Sequence, residues 1–253
     1  MKIMRKLGIL FFLFSLNAWG YKLTQDFRNG FYWENLPIRI TVMDGNATRK
    51  ATLENLSTQA IGEWESRTGL LLWNFKESGS NAATSNIIRW STKFAAETNM
   101  DPNTVLAVAI RYTEGPYFAK TEIVINGNHP DIKNNNANLL TTLTHELGHT
   151  MGLDHSDDWN AVMAPTLQSP YFGLDNDDVN GMTEVHEQTV HRQVTGYISP
   201  LASEETSEST NPLSCGTVST GVPASGTNAM ASLSLGMLIG FVRKIFKWFK
   251  SWF

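Results

Sequence analysis

His145-Glu146-Leu147-Gly148-His149-Thr150-Met151-Gly152-Leu153-Asp154-His155 is the stretch around which the rest of the chain is organised. It reads H-E-x-x-H-x-x-G-x-x-H. Just upstream, Leu139, Leu140, Leu143 and Leu147 recur at helical spacing, which predicts an amphipathic helix. Four residues along such a helix rise about 6 Å and return to nearly the same face. His145 and His149 therefore point the same way and can hold one metal ion. Glu146 stands beside them, and its carboxylate can reach a water on that metal. Gly152 then ends the helix, because a residue without Cβ takes the left-handed backbone that turns a chain sharply. The turn brings His155 to the same ion.

Three neutral imidazoles suit Zn2+, and three protein ligands leave a coordination position open, the mark of a catalytic rather than a structural site. Zinc acidifies its bound water and polarises a carbonyl, while Glu146 is placed to take the proton. Those parts suffice for peptide-bond hydrolysis. Two histidines on a helix can equally be solvated or capping residues; the third histidine, Gly152 and the methionine downstream, all in register, argue against that.

The stretch resembles the metzincin zinc metallopeptidases, and further matches narrow the likeness to the matrixins, the matrix metalloproteinase group. Ser156 follows the third histidine. Ala161-Val162-Met163-Ala164-Pro165 is similar to the family's Met-turn, with Met163 beneath the ligands and Pro165 closing the turn. Leu174-Asp175-Asn176-Asp177-Asp178-Val179-Asn180-Gly181 resembles the start of the group's last catalytic-domain helix. Thr121-Glu122-Ile123-Val124-Ile125-Asn126 resembles its edge strand. The likeness covers about residues 32–190. It implies an α+β fold, a metzincin-like catalytic domain in which a twisted mixed β-sheet packs on helices, with an active-site helix and a Met-turn. It also implies a zinc metalloendopeptidase whose peptide substrate lies along Ile123, Val124 and Ile125 by strand addition. Pro165-Thr166-Leu167 falls where matrixins have a proline and a tyrosine at the specificity pocket, so Leu167 replaces the aromatic.

Other segments fit a globular domain of this kind. Pro37–Val42 alternates apolar and polar residues as a strand does. Leu53, Leu56, Ala60 and Trp64 mark a helix, with Gly69 as its C-cap. Leu70–Phe75, Asn86–Trp90 and Val105–Tyr112 are short β-type runs. Gly127–Asn138 is rich in Asn, Asp and Gly and reads first as a surface loop; it can also supply oxygen ligands to Ca2+, which matrixins often bind. His129 is the one histidine before the metal helix, so a second, structural zinc is not expected. His186 and His191 read as surface residues, and Asp154, Asp157 and Asp158 as solvated loop acids.

The ends differ in character. Lys2, Arg5 and Lys6 precede an apolar run from Leu7 to Leu16, and Ala18-Trp19-Gly20 offers small residues for cleavage, so residues 1–20 read as a signal peptide. The catalytic domain is expected over 21–198. Residues 199–228 are dominated by Ser, Thr, Glu, Pro and Gly and read as a disordered linker. Residues 229–253 form an apolar then basic tail that reads as membrane-associating, or, with Cys215-Gly216 before it, as a sorting signal met by a processing enzyme. The expected location is therefore exported: extracellular or in the cell envelope, with membrane anchoring at the C-terminus.

Composition sets further bounds. The chain has 253 residues, 42% hydrophobic, 17% charged, with a formal net charge of −4. No basic, aromatic-laced patch suggests nucleic acid, and a monomer is expected. The single cysteine, Cys215, leaves no partner for an intramolecular disulfide, and since it lies after the site, latency through an upstream cysteine is not expected. Two other roles use the same residues: a zinc-fold binding or adhesion module without chemistry, and a hydrolase of cell-wall peptide cross-links.

Overall fold

The computed structural model describes residues 20–75, 86–167 and 173–203, and the backbone of Ser214–Ser219. The signal peptide read at 1–20, except Gly20, and the tail read at 229–253 lie outside the described residues, as does most of the expected linker.

The fold is α+β, as the sequence implies: one mixed, mainly parallel sheet packed on helices. The strands are β1 (Lys22–Leu23), β2 (Tyr32–Trp33), β3 (Ile38–Met43), β4 (Trp73–Phe75), β5 (Asn86–Ser91), β6 (Val105–Glu114), β7 (Tyr117–Asn126), β8 (Leu153–Asp154) and β9 (Ser214–Ser219). The large sheet runs β4-β3-β5-β7-β6-β9. The pairs β3–β4, β3–β5 and β5–β7 are parallel, whereas β6 is antiparallel to β7 and β9 antiparallel to β6. β5 reaches β7 only from Glu122 onward, and β2 takes the same flank earlier, pairing Tyr32 with Tyr117 and Trp33 with Phe118. β1 and β8 form a separate two-stranded sheet.

Local sequence explains these elements. In β3, Ile38, Ile40 and Val42 are buried while Arg39 and Met43 face out, so alternation puts one face in the core. Two short helices are α1 (Gln25–Arg28) and α3 (Phe94–Thr98). The helix α2 (Ala47–Thr68) starts where the Asn46 side chain accepts from the Arg49 amide and stops at Gly69 with φ +71°. Its Leu53, Leu56, Ala60 and Trp64 are buried, and the Trp64 indole donates to the Thr144 carbonyl at 2.8 Å. That bond fastens α2 to α5 (Asn136–Met151), the helix that carries the histidines. The Asn135 side chain caps α5 by accepting from Ala137 and Asn138. The last long helix, α6 (Asn176–Thr195), opens on a reciprocal capping box between Asp175 and Asp178.

Three expectations are corrected. Thr121–Asn126 lies in β7, inside the sheet between β5 and β6, so it is no edge. Ile123, Val124 and Ile125 are fully buried there, because the sheet is covered on both faces at that point: Ile123 and Ile125 join the main core, and Val124 a small cluster with Phe94, Val105 and Val108. They are not surfaces a substrate can reach. Second, Gly127–Asn138 is not a plain loop. It holds α4 (Pro130–Lys133), capped by the ring of His129, whose Nδ1 accepts from the Asp131 amide. Third, the expected linker is ordered in part: Pro200–Ser203 form a 3-10 turn, and Ser214–Ser219 are β9.

Candidate metal centre

α5 delivers two ligands on one face. His145 and His149 are fully buried, with ring centroids 4.6 Å apart. The chain leaves the helix at Gly152, whose φ of +121° lies in the region that favours glycine. A Cβ there would also stand 2.7 Å from the Phe27 ring. Beyond this turn and β8, His155 comes back so that its ring centroid is 5.3 Å from that of His145 and 5.0 Å from that of His149. One ligand atom from each of the three lies within 4.8 Å of the others. Among the described residues this is the one group of three or more His, Cys, Asp and Glu side chains so placed.

The hydrogen bonds around the rings fit a bound cation. Nδ1 of His145 lies 2.7 Å from the Val162 carbonyl oxygen, and Nδ1 of His149 lies 2.7 Å from that of Leu153. A carbonyl only accepts, so both Nδ1 atoms carry the proton and both Nε2 atoms present a lone pair. Those Nε2 atoms are 2.9 Å apart. Two lone pairs at that distance repel unless a cation shares them. Burial, then the neighbouring His145 and His155, hold His149 well below the ordinary histidine pKa, which keeps it in the neutral, ligating form. Backbone carbonyls on the outer nitrogens fix ring orientation, as in metal sites generally. Glu146 is fully buried, one residue after the first ligand.

The Met-turn is built as the sequence suggests, with one part the pattern did not show. Met163 is 1% exposed, and its sulfur packs where Gly148 has no side chain. The amides of Val162 and Met163 donate to the Asp178 carboxylate at 2.8 and 2.9 Å, and the Asp175 amide adds a third bond at 2.8 Å. Burial raises the Asp178 carboxyl to about 6 despite these donors. The same Val162 whose amide Asp178 holds gives its carbonyl to His145. The start of α6 is thus linked to the first ligand through one residue. Pro165 and Leu167 follow, both half-buried, and Leu167 packs against the core.

Two further supports were missed from sequence. Arg111 on β6 is fully buried and holds Asp26 through two bonds, Nε to Oδ2 at 2.8 Å and Nη2 to Oδ1 at 3.0 Å. Its Nη1 donates to the carbonyl of His149, which ties the sheet to the metal helix at its second ligand. On the other side, the amides of Gly20 and Tyr21 both donate to Asp177 Oδ1 at 2.9 Å, and Ser156, next to the third ligand, donates to Asp177 Oδ2 at 2.6 Å. An arginine ending an apolar strand run and an acidic helix start were the only signals in the sequence.

The Asn-rich stretch has structural work: Asn126 Nδ2 donates to the Pro102 and Val105 carbonyls, and Asn128 Nδ2 to that of Thr92. His129 faces the Asn103 carbonyl through Nε2 at 3.0 Å.

Sheet order, metal helix, glycine turn and methionine turn together describe a metzincin-type domain. A family model described as Matrixin matches residues 32–187, and the chain belongs to that family. Matrixins are zinc proteins, and the His145, His149, His155 triad is placed to hold the metal. The chain is similar to human matrilysin, 44% identical over 52 residues, which is 19% of this chain and 20% of that protein. It is similar to chicken 72 kDa type IV collagenase, 44% identical over 50 residues, 19% of this chain and 8% of the relative. Human matrix metalloproteinase-20 is 46% identical over 55 residues, 21% and 11% respectively. The matched stretches thus span no more than about a fifth of these relatives' own length.

Proposed function

We propose that this chain is a zinc-dependent endopeptidase in which His145, His149 and His155 bind Zn2+ and Glu146 is the general base. The observation that carries this is the triad itself: three ring nitrogens gathered within 4.8 Å, two of them forced into the ligating tautomer by backbone carbonyls. Zinc held there supplies Lewis acidity to a water and to the substrate carbonyl. Glu146 takes the proton from the attacking water and returns it to the leaving amine, which separates as the peptide C–N bond breaks. Met163 and Gly152 shape the ligand base without touching the ion, and Pro165 and Leu167 wall the pocket beyond the turn. Calcium, the other ion the family likeness implies, has no ligand set that we assign.

Glu146→Ala tests the mechanism. Peptide hydrolysis should fall by about 10²–10⁴-fold while one zinc per chain is retained. Turnover at the wild-type rate would remove Glu146 from the mechanism, and a chain purified without zinc would remove the whole reading. A casein-type substrate assayed beside cell-wall peptides separates a general endopeptidase from a cross-link hydrolase, and cleavage of neither would favour the binding module.

The same reading places the protein outside the cytoplasm, with residues 1–20 removed and residues 229–253 contacting a membrane or a processing enzyme. Among the described residues no helix is long and apolar enough to cross a membrane. A chain ending at Ser203 that still sediments with membranes would count against a role for the tail.

A further inference from the structure

An extended peptide needs an open sheet edge close to the metal helix, and β7 does not provide one. The outer edge of the sheet on the α5 side is β6. It is bonded to α5 directly, since Arg111 of β6 donates to the His149 carbonyl. That edge is already taken. β9 runs antiparallel along it, pairing Ser214 with Arg111, Cys215 with Ile110, Gly216 with Ala109, Thr217 with Val108 and Val218 with Ala107. Cα atoms of β9 come within 8 Å of those of α5. The segment arrives from the stretch that composition marks as a linker.

We infer that the chain's own Ser214–Ser219 is an internal competitor of the peptide substrate, seated along the outer edge of β6 where an incoming peptide would add. This rests on the endopeptidase reading above. Strand addition draws its affinity from the backbone ladder and its selectivity from side-chain pockets. The occupant Ser-Cys-Gly-Thr-Val-Ser has no charge and no large side chain. Its hold is therefore mostly the ladder, and a peptide with better anchors can displace it. Tethering does the rest. A short flexible tether gives an effective concentration on the order of millimolar. A segment that binds at about 0.1 mM in trans would then raise the apparent KM roughly tenfold in cis, with kcat untouched.

The test uses the full chain with Gly216→Pro and Thr217→Pro together; successive N–H groups of a strand point to opposite sides, so one of the two removed donors faces β6. The expected result is a KM lower by about tenfold, unchanged kcat and zinc content, and a Tm within a few degrees of wild type. A synthetic Ser214–Ser219 peptide added to that variant should inhibit competitively at about 0.1 mM. Unchanged or higher KM, or a large loss of Tm with no gain in activity, would make β9 a permanent structural strand and overturn the proposal. Hydrogen exchange of the Val105–Arg111 amides, in wild type and variant, reads the seat without any catalysis. If the protein hydrolyses nothing, the endopeptidase reading fails. Faster exchange in the variant, reversed by the peptide, would still support the seat, whereas identical exchange would refute it.

Discussion

The sulfur of Met163 fills the space left by the missing side chain of Gly148, which lies between His145 and His149 on one helix. A Cβ at Gly148 would overlap that sulfur and stand 3.2 Å from Trp64 Cζ2. Gly148→Ala should therefore destabilise the domain by about 1–3 kcal/mol through overpacking, although alanine is the better helix former. Adding Met163→Ala should give a double mutant less unstable than the sum of the two. Additive losses in a thermal-unfolding cycle would mean the two residues do not share that space.

Asp178 accepts three amides with one carboxylate, so Asp178→Asn turns an NH2 group toward N–H donors. The expected cost is about 1–3 kcal/mol, with slower recovery of zinc after chelation as the Met-turn loosens. Its pH dependence has a definite sign. Burial raises the folded carboxyl from 3.8 to about 6. The folded state thus keeps a proton over a range where the unfolded chain has lost it. The contribution to stability is fully present below the unfolded value and is lost as pH rises through about 6. The stability gap between wild type and Asp178→Asn should shrink by about 2–3 kcal/mol from pH 4 to pH 7 in denaturant titrations. A gap that widens would mean the three amides, not burial, govern this carboxyl.

The Arg111–Asp26 pair is buried on both sides, 0% and 2% of the side chains being exposed. Arg111→Met leaves a lone carboxylate in the core and should cost about 3–5 kcal/mol. Replacing Asp26 by Leu at the same time should recover much of that stability. It should not recover zinc affinity if the bond from Arg111 to the His149 carbonyl sets the position of the second ligand. Competition with a chromogenic chelator reads the second quantity apart from the first.

Gly152→Ala places a Cβ at a φ of +121° and against Phe27. The helix before it is held by its own core contacts, so the displaced part should be the segment leading to His155. Zinc affinity should drop about tenfold or more, and Tm by only a few degrees. Unaltered zinc affinity would show that the third ligand does not depend on this turn.

What could be read from the sequence was what local chemistry decides. The four-residue interval of His145 and His149, the cap at Gly69, the alternation in β3 and the apolar face of α2 each follow from backbone geometry within a few residues. Strand order does not. Ile123-Val124-Ile125 is a continuous apolar run, the mark of a strand covered on both faces, and that pattern outweighs the family likeness that suggested an edge. β9 left no apolar trace because an open edge supplies the ladder for it. Arg111 and Asp178 act on the metal site across the fold, through a carbonyl of α5 and through the amides of the Met-turn, and no spacing in the chain announces such bonds.

The strand Lys22–Leu23 pairs with Leu153–Asp154, and Gly20 and Tyr21 share Asp177 with Ser156. The Gly20–Leu23 segment is therefore stitched to the wall behind the third histidine. The first described residues therefore bear on metal retention: a chain cut beyond Leu23 loses those stitches and should give up its zinc to a chelator sooner than one that begins at Gly20.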